Sequence, residues 1–186
     1  MKKLLMTSLA ALMVAGAANA ADMKPYASLK VGYLNDTAED ADDALTGYVG
    51  AIAGGAAFSI NPQFDVRAEL EFAYGQTKKD EDVKLTSSNL MVNAYVDYKA
   101  SKEMKPYVGV GVGYAMPAME VLGTDMDLKG ALIYGVAGGV AYQLNDQIAI
   151  DLGVKYNMSK LTPDVAGAPS LDLTSVSVLL GARYAF

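Results

Sequence analysis

The 186-residue chain contains no cysteine and no histidine. The first absence removes disulfides, thiolate chemistry and cysteine-ligated zinc. The second removes the commonest general base and every catalytic arrangement built on imidazole. A helix able to span a membrane is missing as well. The apolar stretch from Leu4 to Ala18 is broken by Thr7, Ser8 and Gly16 and falls short of the roughly 20 apolar residues such a helix needs. The mean hydropathy is nevertheless +0.19, high for a soluble domain. A chain this apolar without a spanning helix points to strands.

Lys2 and Lys3 precede the short apolar stretch, and Ala18-Asn19-Ala20 closes it. A basic end, a short apolar centre and small residues at the exit make a secretory signal peptide over residues 1–20, with Ala18, Ala20 and Ala21 framing the cut. Its removal takes away two lysines and no acid, so the net charge moves from −6 to −8. So acidic a surface excludes nucleic acid as a partner. Residues 21–186 show no linker, low-complexity tract or composition shift and are read as one domain.

The clearest pattern lies at 64–74, where Phe64, Val66, Ala68, Leu70, Phe72 and Tyr74 alternate with Asp65, Arg67, Glu69, Glu71 and Ala73. A period of two is a strand; a helix would mix the two sets. Seven further segments follow the same rule. The segment 25–34 sends Ala27, Leu29, Val31 and Tyr33 outward, and 47–60 sends Tyr48, Ile52, Ala56, Phe58 and Ile60. Outward residues are Leu90, Val92, Ala94, Val96 and Tyr98 in 89–99, Val108, Val110, Val112 and Tyr114 in 106–115, and Leu132, Tyr134, Val136, Val140 and Tyr142 in 131–143. Segment 148–157 turns out Ile148, Ile150, Leu152, Val154 and Tyr156, and 173–186 turns out Val176, Val178, Leu180, Ala182, Tyr184 and Phe186. Apolar outside and polar inside is the pattern of a strand whose outer side meets lipid, and about ten residues is the length a tilted strand needs to cross. The fold expected is an all-β, eight-stranded antiparallel up-and-down transmembrane barrel.

Connection lengths alternate too. Short turns are expected at 59–63, 100–105 and 144–147, longer loops at 35–46, 75–88, 116–130 and 158–172. Short periplasmic turns and long external loops are the asymmetry of outer-membrane barrels. Outward aromatics gather at the strand ends: Phe58, Phe64, Tyr98, Tyr142, Tyr184 and Phe186 on the turn side, Tyr33, Tyr48, Tyr74, Tyr114 and Tyr156 on the other. Amphipathic rings settle at membrane interfaces.

The inward face collects Lys30, Arg67, Lys155 and Arg183 against Asp65, Glu69, Glu71, Asp97 and Asp151. Charges in a narrow lumen must be paired and hydrogen-bonded. Asp151 is expected beside Arg183, and Arg67 shared among Asp65, Glu69 and Asp97. Eight strands leave an interior that side chains fill. The small inward residues Gly109, Gly111, Gly113, Gly135, Ala137 and Gly139 are expected to face larger ones on the third and fourth strands, giving a plugged interior. Glu69 and Glu71, two apart on one strand, are structural charges by this reading rather than an acid/base pair. The first loop, with Asp36, Glu39, Asp40, Asp42 and Asp43, reads as a solvated acidic loop, since its spacing matches no calcium loop. In Gly109-Val-Gly111-Val-Gly113-Tyr114 a tyrosine stands where the third glycine of a dinucleotide fingerprint belongs and no helix pattern follows, and Gly50 with Gly54 lies in too short a segment for a helix-pairing motif. No cofactor or metal is expected.

The ending Gly181-Ala-Arg-Tyr184-Ala-Phe186, the strand Lys105-Pro-Tyr-Val-Gly-Val-Gly-Val-Gly-Tyr114 and the turn-and-strand Asn61-Pro-Gln-Phe-Asp-Val-Arg-Ala-Glu-Leu-Glu71 resemble the opacity-type outer membrane β-barrel proteins, small barrels like outer membrane proteins A and X. The resemblance covers essentially all of residues 21–186. It implies that Gly181, Tyr184 and Phe186 form the signal read by the barrel-assembly machinery, although Leu180 stands where the family usually has a polar residue. It implies residence in the Gram-negative outer membrane among its lipid and lipopolysaccharide, and surface loops serving adhesion or host contact through an unidentified external receptor. Lipid-modifying enzymes occur on small barrels, but their catalytic arrangements resemble His/Ser sets that this chain cannot form, so no enzymatic activity is expected. The alternative function is a small porin-like pore, favoured by a water path past Arg67 and Glu69. A soluble periplasmic barrel with inverted facing fits the charged inner set poorly.

Overall fold

The computed structural model describes residues 23–38, 44–79, 83–121, 124–163 and 171–186. These contain no helix and form nine strand pieces: β1 Met23–Ala38, β2 Leu45–Ser59, β3 Phe64–Lys79, β4 Val83–Tyr98, β5 Met104–Val121, β6 Thr124–Lys129, β7 Ala131–Gln143, β8 Ile148–Pro163 and β9 Leu171–Ala185. β6 and β7 share the same neighbours, β5 and β8, and make one barrel strand interrupted at Gly130. Each strand pairs antiparallel with the next, and β9 closes on β1, giving eight positions and no free edge. Closure satisfies every ladder inside the lipid, where water cannot.

The register fixes the tilt. Stepping from Ala27 through its partners Gly54, Leu70, Val92, Val112, Tyr134, Met158 and Thr174 returns to β1 at Thr37, a stagger of ten residues. Such a stagger across eight strands corresponds to a tilt of roughly 45°.

The expected facing is observed on all eight positions: Leu29, Val31, Ile52, Val92, Val110, Val136, Leu152 and Leu180 are exposed, while Arg67, Glu69, Glu71, Asp97, Asp151 and Lys155 are buried. The outward tyrosines of the loop end are six, because Tyr134 joins Tyr33, Tyr48, Tyr74, Tyr114 and Tyr156 at the level set by the register. Tyr134 and Tyr142 lie on opposite ends of β7, as do Phe64 and Tyr74 on β3. Eight to ten residues at this tilt separate the two aromatic rings by roughly 20 Å, the height of a lipid-facing band.

The strand ends depart from expectation. The segments predicted at 25–34, 64–74, 89–99, 106–115 and 148–157 run as Met23–Ala38, Phe64–Lys79, Val83–Tyr98, Met104–Val121 and Ile148–Pro163. The described parts of the expected loops at 35–46, 75–88, 116–130 and 158–172 are therefore largely paired strand. Apolar alternation stops at the tyrosine ring, because lipid stops there; hydrogen bonding does not. Beyond the ring the outward positions turn polar, as with Thr37, Gln76, Lys78 and Lys84, and the ladders continue.

Asp36 is consequently corrected. It is an inward strand residue, 4% exposed, accepting hydrogen bonds from Thr77 Oγ1 at 2.9 Å and Ser175 Oγ at 2.5 Å. Glu39, Asp40, Asp42 and Asp43 lie outside the described residues, as do Ala18, Ala20 and Ala21.

Candidate functional site

The inward positions of β1, β3, β4, β8 and β9 bring their charges together in the turn-end half of the lumen. Arg67 gives Nε to Asp97 Oδ2 at 2.7 Å and Nη2 to Asp97 Oδ1 at 2.9 Å. Its guanidinium lies 4.4, 5.1 and 5.9 Å from the ring centres of Tyr95, Tyr107 and Tyr26. Fork geometry and cation–π contact both favour arginine over lysine here. Arg183 pairs with Asp151, Nη2 to Oδ1 at 2.5 Å, and its Nη1 lies 3.9 Å from Asp97 Oδ2.

A second group sits one level higher. Lys30 Nζ lies 2.7 Å from both Glu69 Oε1 and Glu71 Oε2. Glu71 Oε1 takes Lys155 Nζ at 2.5 Å, so one carboxylate bridges two ammonium groups. Tyr26 OH donates to Glu69 Oε2 at 3.0 Å and Tyr95 OH to Oε1 at 3.4 Å.

The sharing of Arg67 among three carboxylates is corrected by these contacts. Asp97 takes the guanidinium in bidentate fashion, Glu69 goes to Lys30, and Asp65 pairs with Lys99 at 2.7 Å and Ser59 Oγ at 2.6 Å, with Lys105 at 3.8 Å. The sequence pattern turns Tyr95 and Tyr107 inward without showing that they surround Arg67, and it does not single out Lys99, Lys105 or Tyr26. Inward parity could have found Lys99 and Tyr26; which carboxylate each cation meets depends on the barrel stagger, which alternation does not encode.

Large side chains of β4 lie over the register-matched glycines of β5: Tyr95 over Gly109, Asn93 over Gly111, Met91 over Gly113. The Tyr107 hydroxyl covers Gly139 and Gly153. The large and small residues are thus neighbours on adjacent strands. At the loop end the lumen carries an apolar layer, Leu85, Ala131 and Leu173 with Leu45 and Met119 above Met91, Ala115 and Ile133.

What space remains is divided. A cavity of about 280 Å³ opens at the turn end beside Lys24, Lys102 and Arg183. Two inner ones hold about 20 Å³ near Tyr107 and about 40 Å³ between the Glu71–Lys155 pair and the apolar residues Leu85 and Leu173, each of the order of one water. Among the described residues no group of three or more Asp or Glu is arranged to hold a metal ion. Glu69 and Glu71 are both held by ammonium groups, an arrangement suited to neutralising charge rather than to moving protons.

The last strand ends with Gly181 inward against Lys30 and with Tyr184 and Phe186 outward, their ring centres 5.2 Å apart. The Phe186 amide donates to Pro25 O at 2.9 Å, fastening the terminus to the first strand.

Known proteins with the same architecture follow from this geometry. The chain is similar in structure to Neisserial surface protein A, with 18% identity and a TM-score of 0.72 over 87% of this chain and 97% of that one. It is similar to Ail, the attachment invasion locus protein of Yersinia pestis, with 15% identity and a TM-score of 0.54 over 88% and 99%. The outer membrane enzyme PagL aligns with 10% identity and a TM-score of 0.56 over 84% and 97%. At these identities the likeness is one of fold. An uncharacterized protein of Brucella abortus is 27% identical over 117 residues, 53% of this chain. The chain spans about 41% of the length of that relative. Residues 6–186 match the family described as outer membrane protein beta-barrel domain, and with a closed, lipid-faced barrel on the page the chain belongs to that family and is a protein of the bacterial outer membrane.

Proposed function

We propose that this barrel is a non-enzymatic scaffold with a filled lumen, which holds its loop end at the cell surface for adhesion or other contact with a host or the envelope. The observation that carries the reading is the continuation of paired strands beyond the tyrosine ring, above a lumen closed by two stacked layers, one ionic and one apolar. Such a support fixes the loop-end parts of the paired strands relative to one another. The attachment role named for Ail and the opacity-type resemblance favour contact with a receptor over transport. In this reading the nine interior charges, Lys30, Asp65, Arg67, Glu69, Glu71, Asp97, Asp151, Lys155 and Arg183, keep the lumen shut. Gly181, Tyr184 and Phe186 present the last strand to the assembly machinery, and residues 1–20 are cut after Ala20. A porin-like pore is the weaker reading, because the inner cavities are separate and small.

Replacing residues 39–43 and 164–170 with Gly-Ser segments of equal length tests the proposal. The heat-dependent shift in gel mobility of the folded barrel is expected to persist, while adherence of cells displaying the variant to host cells or matrix falls to the level of cells lacking the protein. Full adherence by the variant would contradict a surface-presenting role for those segments.

A further inference from the structure

The turn-end mouth of the lumen carries cations that the interior network does not use. Five of them line the cavity of about 280 Å³, Lys24, Lys99, Lys102, Lys105 and Arg183, against three carboxylates, Asp65, Asp97 and Asp146. Pairing accounts for part of this set. Asp97 is gripped from below by Arg67, and Arg183 spends Nε and Nη2 on Asp151. Lys99 Nζ lies 2.7 Å from Asp65 Oδ1 and donates to Ser59 Oγ at 3.0 Å and to Asn61 O at 3.3 Å, so its three N–H groups are taken.

The remainder is lopsided. Lys105 Nζ stands 3.8 Å from Asp65 Oδ2, beyond hydrogen-bond reach. Arg183 Nη1 is 3.9 Å from Asp97 Oδ2, and neither Lys24 nor Lys102 has a side-chain partner among the described residues. The one carboxylate of this lining without such a partner belongs to Asp146. Glu103 and the chain-end carboxylate of Phe186 are not on the lining, and Glu103 takes a hydrogen bond from Ser101 Oγ at 3.3 Å within its own turn. Asp22 lies outside the described residues. Three unspent ammonium groups and one guanidinium nitrogen thus face the cavity with one free carboxylate.

Closure of the barrel holds these groups around one opening. Lys24 comes from β1, Lys105 from β5, Arg183 from β9 and Lys102 from the turn between β4 and β5, so an anion between them meets several at once. A cleft of one dominant sign with low-dielectric walls concentrates its field on such a ligand. The cavity ends on the Arg67 guanidinium among Tyr26, Tyr95 and Tyr107, so that a ligand binds there without passing. Its volume approaches that of a small-molecule site, and ammonium groups act as point charges for phosphate or carboxylate oxygens.

We infer that the turn-end mouth, which faces the periplasm, binds one small multivalent oxyanion whose phosphate or carboxylate groups are held by Lys24, Lys102, Lys105 and Nη1 of Arg183. The test uses the protein, residues 21–186, refolded in a non-ionic detergent in chloride buffer and titrated calorimetrically with pyrophosphate or with citrate. The wild type is expected to bind at least one of them saturably, one per barrel. Tighter binding of pyrophosphate assigns the site to a phosphate-bearing ligand, tighter binding of citrate to a polycarboxylate. Lys24→Gln with Lys102→Gln lowers affinity at least about tenfold, and Asp146→Asn, which removes the competing carboxylate, raises it about threefold. Lys78→Gln with Lys84→Gln, the same charge change at the loop end, leaves it unchanged. No saturable heat with either anion overturns the site, as does undiminished affinity in the Lys24/Lys102 variant. Equal loss in the Lys78/Lys84 variant overturns it too, by reducing it to bulk charge. The substituted side chains lie at the two rims, and each barrel is checked by its gel-mobility shift.

Discussion

Glu71→Gln is expected to destabilise the barrel by about 3–5 kcal/mol, because removing one partner of a buried ion pair leaves an uncompensated charge behind. Glu71 is 3% exposed and neutralises Lys155 as well as half of the Lys30 contact. After the change Lys30 keeps Glu69, while Lys155 stands on β8 opposite a neutral amide. The loss is measured as a fall in the urea midpoint of the gel-mobility transition. Adding Lys155→Met to Glu71→Gln should recover much of it, since an apolar side chain in a filled lumen carries no desolvation cost. An unchanged midpoint in the single variant would mean that Lys155 is served by water, and the lumen would then be wetter than its packing implies.

Gly109→Val should be nearly as damaging for a different reason. A Cβ at position 109 overlaps the Tyr95 ring and crowds Ala94 O, and Tyr95 is boxed in by Arg67 and by the edge of Tyr107, 5.7 Å away. The ring cannot swing aside without undoing the arginine cage, so an overpacking cost of about 3 kcal/mol is expected. Gly138→Val is the control on the adjacent strand: it faces lipid, where a Cβ meets nothing nearer than Tyr107 O at 3.7 Å, and should shift stability by no more than about 0.5 kcal/mol. The comparison is made in the same urea titration. Equal effects at the two glycines would show that loss of glycine itself, not the space above it, sets the cost.

These two sites also mark what a single sequence displays and what it hides. The inside and outside of every strand are legible because lipid and lumen impose opposite chemistries on alternate residues, and Phe64 to Tyr74 displays that rule almost without exception. Where lipid ends, the rule ends: Asp36 reads as part of an acidic loop although it is a buried strand residue, since nothing in a stretch of polar residues distinguishes a hairpin from a solvated loop. Pairing inside the lumen is hidden for another reason. Arg67 has inward carboxylates above, below and beside it, and which one it grips depends on a ten-residue stagger spread over eight strands. Asp151 and Arg183 were legible because neighbouring strands and matching distance from the turn end leave little choice.

The central claim is a lumen closed by its own side chains. Its most direct test is the single-channel conductance of residues 21–186 refolded in detergent, verified by gel mobility before and after boiling, and inserted into a planar bilayer. The wild type is expected to give no resolved steps, and Arg67→Ala, which leaves the apolar layer of Leu85, Ala131 and Leu173 in place, to stay silent as well. Steady ohmic conductance from the wild type that is unchanged in Arg67→Ala would contradict the closed lumen and put a transport function in its place.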